Sequence, residues 1–419
     1  MIITKTVAIA AIIVIGCIIS LAIIIFSLVS VFSINVVTGI GCQFSIQTDL
    51  VQEHPLLLVP GGGYGNDAFF LPDVNRIVTL GSNQNIQLSC PGGNLVLNGT
   101  YREDTVARCT HFNLVTAGLQ LPVRLASCTV YPDHVARHTG NTCLSQYTEI
   151  EIGFWVDNRF LRHILICFDE HNQNTLYSQF NLTRAIGGRR IGQPRPEWTE
   201  GEFFNLDDNT VNQLYSRQRQ RATINGLLGL NAYYTGYISN DIYLSRGHLT
   251  AMADFVYGAQ QRLTFYYVNA APQWQPFNGA NWNQLEIDTR DFATSRGLDL
   301  IVYTGTYGVT TLPHDITNQD IGLYLYVNDT SRAIPVPRLF WKVLYEPIRR
   351  EGVVFLGVNN PHVFDENKDI ICTDICDQYP WLSWQATNIT AGYSYCCDVA
   401  DFRRTVSTLP NFEVVNLLK

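Results

Sequence analysis

Apolar positions along this chain fall into three patterns, and each predicts a different kind of element. The first is a single block. Residues 7–37 are almost entirely apolar, Lys5 precedes them, and no charge follows until Asp49. The block is longer than the roughly 7–15 residues of a signal-peptide core and the roughly 20 that span a bilayer. It predicts an N-terminal hydrophobic helix within residues 1–42. That helix is either an uncleaved signal anchor or a long signal peptide cut near residues 38–41. Lys5 on the short side favours that end in the cytosol and everything beyond the block outside it.

The second pattern is short apolar runs, such as 86–88 and 95–97, broken by Gly, Pro and Asn. It predicts a small β-rich module over residues 43–148. The run P-G-G-G-Y-G at 60–65 lacks the G-K-S/T ending of a phosphate loop, so it predicts a turn or linker. The third pattern begins at residue 149. I-L-I-C-F-D and T-L-Y-S-Q-F-N-L read as strands, and residues 298–304, 321–327 and 338–344 read as more. Between these groups lies the stretch 243–290. A short β-like run there ends in Arg246-Gly247-His248, where Gly lets the backbone come close to a ligand. Residues 265–269 form a second strand-type run. Asn278, Trp282 and Glu286 then recur at i, i+4 and i+8, which predicts a helix carrying all three along one side.

Composition narrows the setting. The 419 residues are 46% apolar, enough for one large domain and a smaller one. Cys17 lies in the apolar block, and ten further cysteines follow it: Cys42, Cys90, Cys109, Cys128, Cys143, Cys167, Cys372, Cys376, Cys396 and Cys397. An even number in an exported chain predicts up to five disulfides. Adjacent Cys396 and Cys397 are expected to bond to separate partners, with Cys372 and Cys376 the candidates. A zinc site built from these four is the alternative. Sequons at Asn98, Asn181, Asn328 and Asn388 agree with a secretory route and a glycoprotein. The formal charge of −8 lacks the basic footprint of a coating nucleic-acid binder. It leaves room for a local basic cleft on an acidic body.

The stretch 243–290 holds the candidate chemistry. His248 is its only histidine and suits a general base near neutral pH. On that reading, activity rises as pH passes through the His248 pKa. Asn278 and Glu286 offer oxygen to a hard cation such as Mg2+, which keeps several waters and takes one or two protein ligands. Arg246 offers a bidentate fork to a phosphate. A base, a metal position and a phosphate clamp together fit metal-assisted phosphodiester cleavage. Upstream, Arg184, Arg189, Arg190, Arg195, Arg217, Arg219 and Arg221 form an arginine-rich segment, a candidate for backbone-phosphate contact. Acidic residues are interspersed among them, so an ordinary solvated surface stays open.

These residues resemble the DNA/RNA non-specific endonucleases with a ββα-metal core. The strings R-G-H, A-D-F-V-Y-G-A-Q-Q-R from Ala253 and F-Y-Y-V-N-A-A-P-Q-W-Q from Phe265 carry the likeness. It is similar in particular to secreted arthropod nucleases that favour double strands, and it extends from about residue 149 to near the C-terminus. The resemblance implies an α+β fold, with a ββα-metal core on a mixed or antiparallel sheet over residues 149–419. It implies His248 as the base, Asn278 as the direct Mg2+ ligand (Mn2+ a possible substitute) and Arg246 as the stabiliser of charge on the scissile phosphate. Glu286 would orient water at the metal or assist the leaving oxygen. Asn269 and Arg290 match supporting positions, and a catalytic arginine upstream of R-G-H is left unassigned. Arg189, Arg190, Arg217, Arg219 and Arg221 are the substrate-binding candidates. Ser245 departs from the Asp that many members carry before R-G-H. The implied activity is Mg2+-dependent cleavage of DNA or RNA. Its rivals are a catalytically silent uptake protein of the same fold and a nucleotide phosphodiesterase. The partners are then the nucleic acid and, if the apolar block is uncleaved, a membrane; no protein partner is implied.

Overall fold

The computed structural model describes residues 41–63, 65–116 and 118–419. The apolar block at 7–37, with the anchor or signal-peptide expectation, lies outside the described residues. Among the described residues, no helix is long and apolar enough to cross a membrane.

The fold is α+β and sheet-rich. Its centre is a nine-stranded sheet. Eight strands run in the spatial order Val135–Cys143, Tyr147–Val156, Arg159–Asp169, Asn174–Leu182, Leu300–Val309, Pro337–Glu346, Glu351–Val358 and Ser394–Cys397. Each is antiparallel to its neighbours. The ninth, Asn416–Leu417, adds in parallel beside Glu351–Val358. The sheet thus takes in Val135–Cys143, which precedes the stretch read from sequence as its first strands.

The central strands are buried on both faces, and their two-residue period sorts side chains into two cores. Val302, Phe340, Leu344, Val353 and Phe355 face one core with Trp282, Leu285 and Phe292 of the long helix. Tyr303, Trp341, Val343, Val354 and Leu356 face the other, under the C-terminal segment with Tyr395 and Phe402. That segment is stapled by Cys372–Cys397 and Cys376–Cys396, so the adjacent cysteines do take separate partners. Asp374, Cys376 and Cys396 are the only potential metal-binding group of this kind among the described residues, and both its cysteines are spent in that disulfide. The Asp374 carboxylate instead accepts the backbone N–H groups of Cys376 and Cys396. The zinc alternative is therefore set aside.

The N-terminal part is β-rich as expected. It consists of small antiparallel sheets of two, three and five strands, with Cys42–Cys109 and Cys90–Cys128 within it. Cys143–Cys167 is the fifth disulfide. Five bridges indicate folding in an oxidising compartment. This part shares a continuous apolar core with the large sheet. Polar struts reinforce the join. Asn66 Nδ2 donates to the Asn181 carbonyl at 2.8 Å, Arg76 Nε to the Arg189 carbonyl at 3.1 Å, and the Tyr257 hydroxyl to the Phe70 carbonyl.

Candidate active site

The site begins with a two-stranded hairpin, Leu244–His248 paired antiparallel with Ala270–Trp274. Gly247 lies opposite Ala271 in extended backbone. A Cβ there would stand 2.4 Å from Gln273 Oε1 and 2.6 Å from its Cβ. The glycine of R-G-H therefore makes room for Gln273 rather than for a ligand.

Residues 275–296 then form one helix, with Pro276 in its first turn and Gly297 in the left-handed conformation (φ +63°) at its end. Its second turn, Asn278–Trp282, is a π turn. The extra residue in that turn rotates the rest of the helix about its axis. Asn278, Asn283, Glu286 and Arg290 all line the cleft. Trp282, expected on the same side, instead points into the core. It is 1% exposed, with ring centroids 5.6 Å from Phe277 and 5.5 Å from Phe340.

Hairpin and helix form two walls of a cleft of about 740 Å³, and Arg195, Trp198 and Arg217 contribute a third. Ser245, Arg246 and His248 come from the hairpin. Ser245 Oγ donates to the Gln273 carbonyl at 2.8 Å and lies 3.0 Å from Asn278 Nδ2. The hydroxyl has one hydrogen, already given to Gln273, so it accepts from Asn278. That fixes the amide and leaves its carbonyl oxygen free for the cleft. The amide oxygen and the Glu286 side chain line the same cleft, and such oxygen donors fit a hard divalent cation.

His248 is packed between Trp198 and Phe265, with ring centroids at 4.6 and 4.9 Å. Its Nε2 is buried without a hydrogen-bond partner. Burial, aided by the Arg195 charge, pushes its pKa down to about 3, so the imidazole is neutral. Glu286 is shifted the other way, well above the usual carboxylate range. Burial is the main cause and Asp254 adds to it, against the pull of Arg290, Lys342 and Arg195.

Arg246 is held by Tyr267 and Asn212. Arg290 lies at the cleft and forms a buried ion pair with Asp254 at 2.8 Å, both side chains 4% exposed. Asn269 stays out of the cleft. It is fully buried, and its amide joins Thr250 to Thr264: Nδ2 donates to both carbonyls at 2.9 Å and Oδ1 accepts from Thr250 N–H. Its place is structural, beneath the chain that follows His248.

The arginine-rich segment divides sharply. Of its seven arginines, only Arg195 and Arg217 line the cleft. Arg195 is not among the substrate-binding candidates, yet its charge bears on both His248 and Glu286. Nothing in the spacing of the seven arginines singles it out. Arg190, expected at a phosphate surface, is instead 7% exposed and donates to the Val51 carbonyl at 2.8 Å, tying the N-terminal sheets to the body. Arg189 is half-buried; burial and neighbouring Arg290 lower its pKa. Arg219 donates to Asn209 Oδ1 and Arg221 to the Ile238 carbonyl, both away from the cleft. Arg184 pairs with Asp299.

The chain is similar to known proteins along most of its length. A salivary endonuclease of Lutzomyia longipalpis is 27% identical over 86% of this chain and 82% of its own. Salivary protein Tsal2A of Glossina morsitans morsitans is 25% identical over 90% of this chain and 94% of its own. A chain of the EndoG/EndoGI complex aligns with a TM-score of 0.38 and 16% identity, covering 61% of this chain and 87% of that one. The family model for DNA/RNA non-specific endonucleases matches residues 145–402, well over half of the sequence. This chain belongs to the DNA/RNA non-specific endonuclease family, and it is a hydrolase that cuts phosphodiester bonds in nucleic acid.

Proposed function

We propose that the cleft performs Mg2+-dependent endonucleolytic hydrolysis of DNA or RNA, with a preference for double strands. The observation that carries this reading is the Asn278 amide, locked by Ser245 with its oxygen free, in one cleft with the His248 imidazole. Asn278 would hold the cation, and Mn2+ would substitute for it. When bound, the cation supplies positive charge against the phosphate oxygens and the departing 3′ oxygen.

The protein's own residues account for the remaining chemistry. His248 takes a proton from a water molecule, whose oxygen forms the new bond to phosphorus. The bond from phosphorus to the 3′ oxygen breaks, and that oxygen takes a proton from solvent water or from Glu286 as it leaves. The products carry 5′-phosphate and 3′-hydroxyl ends. Arg246 and Arg195 balance the charge that develops on the phosphate. Glu286 orients water at the cleft or assists the leaving oxygen. Arg217 contacts backbone phosphate at the third wall, while Asn269 and Arg290 hold the frame.

The double-strand preference rests on the likeness of residues 253–275 to secreted arthropod nucleases. The relative named a salivary endonuclease and the five disulfides support action outside the cytosol. Incubating the purified protein with plasmid, long double-stranded RNA and single strands, with Mg2+ or chelator, tests the reading. Cutting that survives chelation would sink the metal, and equal rates on single strands would sink the preference.

A further inference from the structure

Arg246 enters the cleft already bound on one edge. Its Nε–H donates to the Tyr267 hydroxyl at 3.0 Å, and its Nη2 donates to Asn212 Oδ1 at 2.6 Å. The Tyr267 hydroxyl in turn donates to the same Asn212 oxygen at 2.9 Å. The three groups close a ring in which Arg246 is the double donor and Asn212 Oδ1 the double acceptor. Tyr267 oxygen accepts once and donates once, and both lone pairs of Asn212 Oδ1 are taken. Beneath the ring the Tyr215 and Tyr267 rings stack at 5.8 Å, and the guanidinium carbon lies 5.2 Å from the Tyr215 centroid.

This geometry has a consequence for the guanidinium. Its five N–H groups form two forks. The fork of Nε and Nη2 is consumed by the ring. The fork of Nη1 and the second Nη2 hydrogen stays open. Both ring partners are neutral, so they orient the cation without cancelling its charge. A carboxylate in place of Asn212 would orient it equally well and neutralise it.

We propose that Asn212 and Tyr267 are positioning residues that aim the open fork of Arg246 at the phosphate undergoing cleavage. The inference rests on the nuclease reading of this cleft. Asn212 is exposed on the short helix Val211–Leu214, which is capped independently by Thr210 and Gln213. Its side chain can therefore be altered without opening a core.

The test uses the full chain with plasmid DNA and Mg2+, beside Arg246→Ala and His248→Ala. Asn212→Ala and Tyr267→Phe should each lower kcat about tenfold with little change in KM or melting temperature. Their double variant should lose scarcely more than either alone, because one ring is broken once. Asn212→Asp keeps the ring and adds charge, so it should raise KM. In an Arg246→Ala background the Asn212→Ala effect should disappear. A tenfold loss that persists in that background would overturn the proposal, as would single variants within twofold of the parent. A second readout needs no turnover. In protein labelled with 15N-arginine, the Nε–H resonance removed by Arg246→Lys should be protected from exchange, and should lose protection in Tyr267→Phe. An unprotected resonance in the parent would also overturn the proposal, even if the cleft proved active. Protection in a protein that fails to cut would leave the ring standing and remove the nuclease reading.

Discussion

Ser245 Oγ accepts a hydrogen bond from Asn278 Nδ2 at 3.0 Å while donating its own hydrogen to the Gln273 carbonyl. The serine therefore does what an acceptor at this position must do. It fixes which end of the Asn278 amide faces the cleft, and it does so without charge. Ser245→Ala frees the amide to rotate, at a cost of about 1 kcal/mol, or about fivefold in the Mg2+ concentration needed for half-maximal cutting. Ser245→Asp restores an acceptor and adds a negative charge near the cation, so it should lower that concentration below the parent's. Mg2+ titration of plasmid cleavage checks both. A Ser245→Ala curve superimposed on the parent's would remove the serine from this role.

The neutral imidazole revises the pH dependence read from sequence alone. A free histidine would bring activity up between about pH 6 and 7. His248 is held down to about 3 by burial between Trp198 and Phe265 and by Arg195. A lowered pKa favours the unprotonated base, so His248 is ready to accept a proton across pH 5–8. Its own limb is expected to be flat there, and a flat profile no longer counts against it. Trp198→Ala admits water to the ring and should bring a rising limb back between pH 5 and 7. His248→Ala should lower kcat by about 10²–10⁴-fold at every pH. A limb unchanged by Trp198→Ala would show that packing does not set this pKa.

Much of this site was legible from residue types. R-G-H marks the end of a strand and Asn278 with Glu286 mark a helix, and the structure brings them together. Residues 265–269, read as a strand, instead hold a 3-10 turn at Tyr267–Asn269, and the strand that pairs with R-G-H is the next segment, Ala270–Trp274. The errors have physical causes. Trp282 is misplaced by an i, i+4 count because a π turn intervenes, and the backbone geometry of that turn is not written in side-chain periodicity. Arg190 and Arg195 look alike in a basic segment, yet one is a buried strut and the other reaches the cleft. Asn212 was invisible because its partners, Arg246 and Tyr267, come from segments far along the chain.

The Asp254–Arg290 pair lies beneath the cleft with both side chains 4% exposed. Arg290 Nε has no partner, so the pair already carries an unmet donor. Removing one charge strands the other in low dielectric. Asp254→Asn or Arg290→Met alone should destabilise the fold by about 3–5 kcal/mol, and the double variant should recover a large part of that. Thermal unfolding at pH 7 reads both. Single variants melting with the parent would mean that water reaches the pair.

Stability should fall as the medium is acidified from pH 6.5, for a reason visible in His163. Its Nδ1 lies 2.9 Å from the Leu161 carbonyl, and its Nε2 lies 3.0 Å from Gln260 Nε2. The first nitrogen donates and the second accepts, so the ring is neutral, and a second proton would set two donors face to face. Burial brings its pKa down to about 4, and does the same for His54, whose Nε2 is buried without a partner. The unfolded chain titrates these rings near 6.5. Between 6.5 and 4 it therefore binds more protons than the native state, and acid favours unfolding. Each such imidazole weakens the fold by about 1.4 kcal/mol for each pH unit in that window. Melting temperature measured from pH 7 to 5 should decline, above the range where most carboxylates titrate. His163→Gln keeps a donor and an acceptor without a titrating ring. It should start from a lower melting temperature and decline less steeply. A parallel decline in the variant would show that the acid sensitivity lies in other groups.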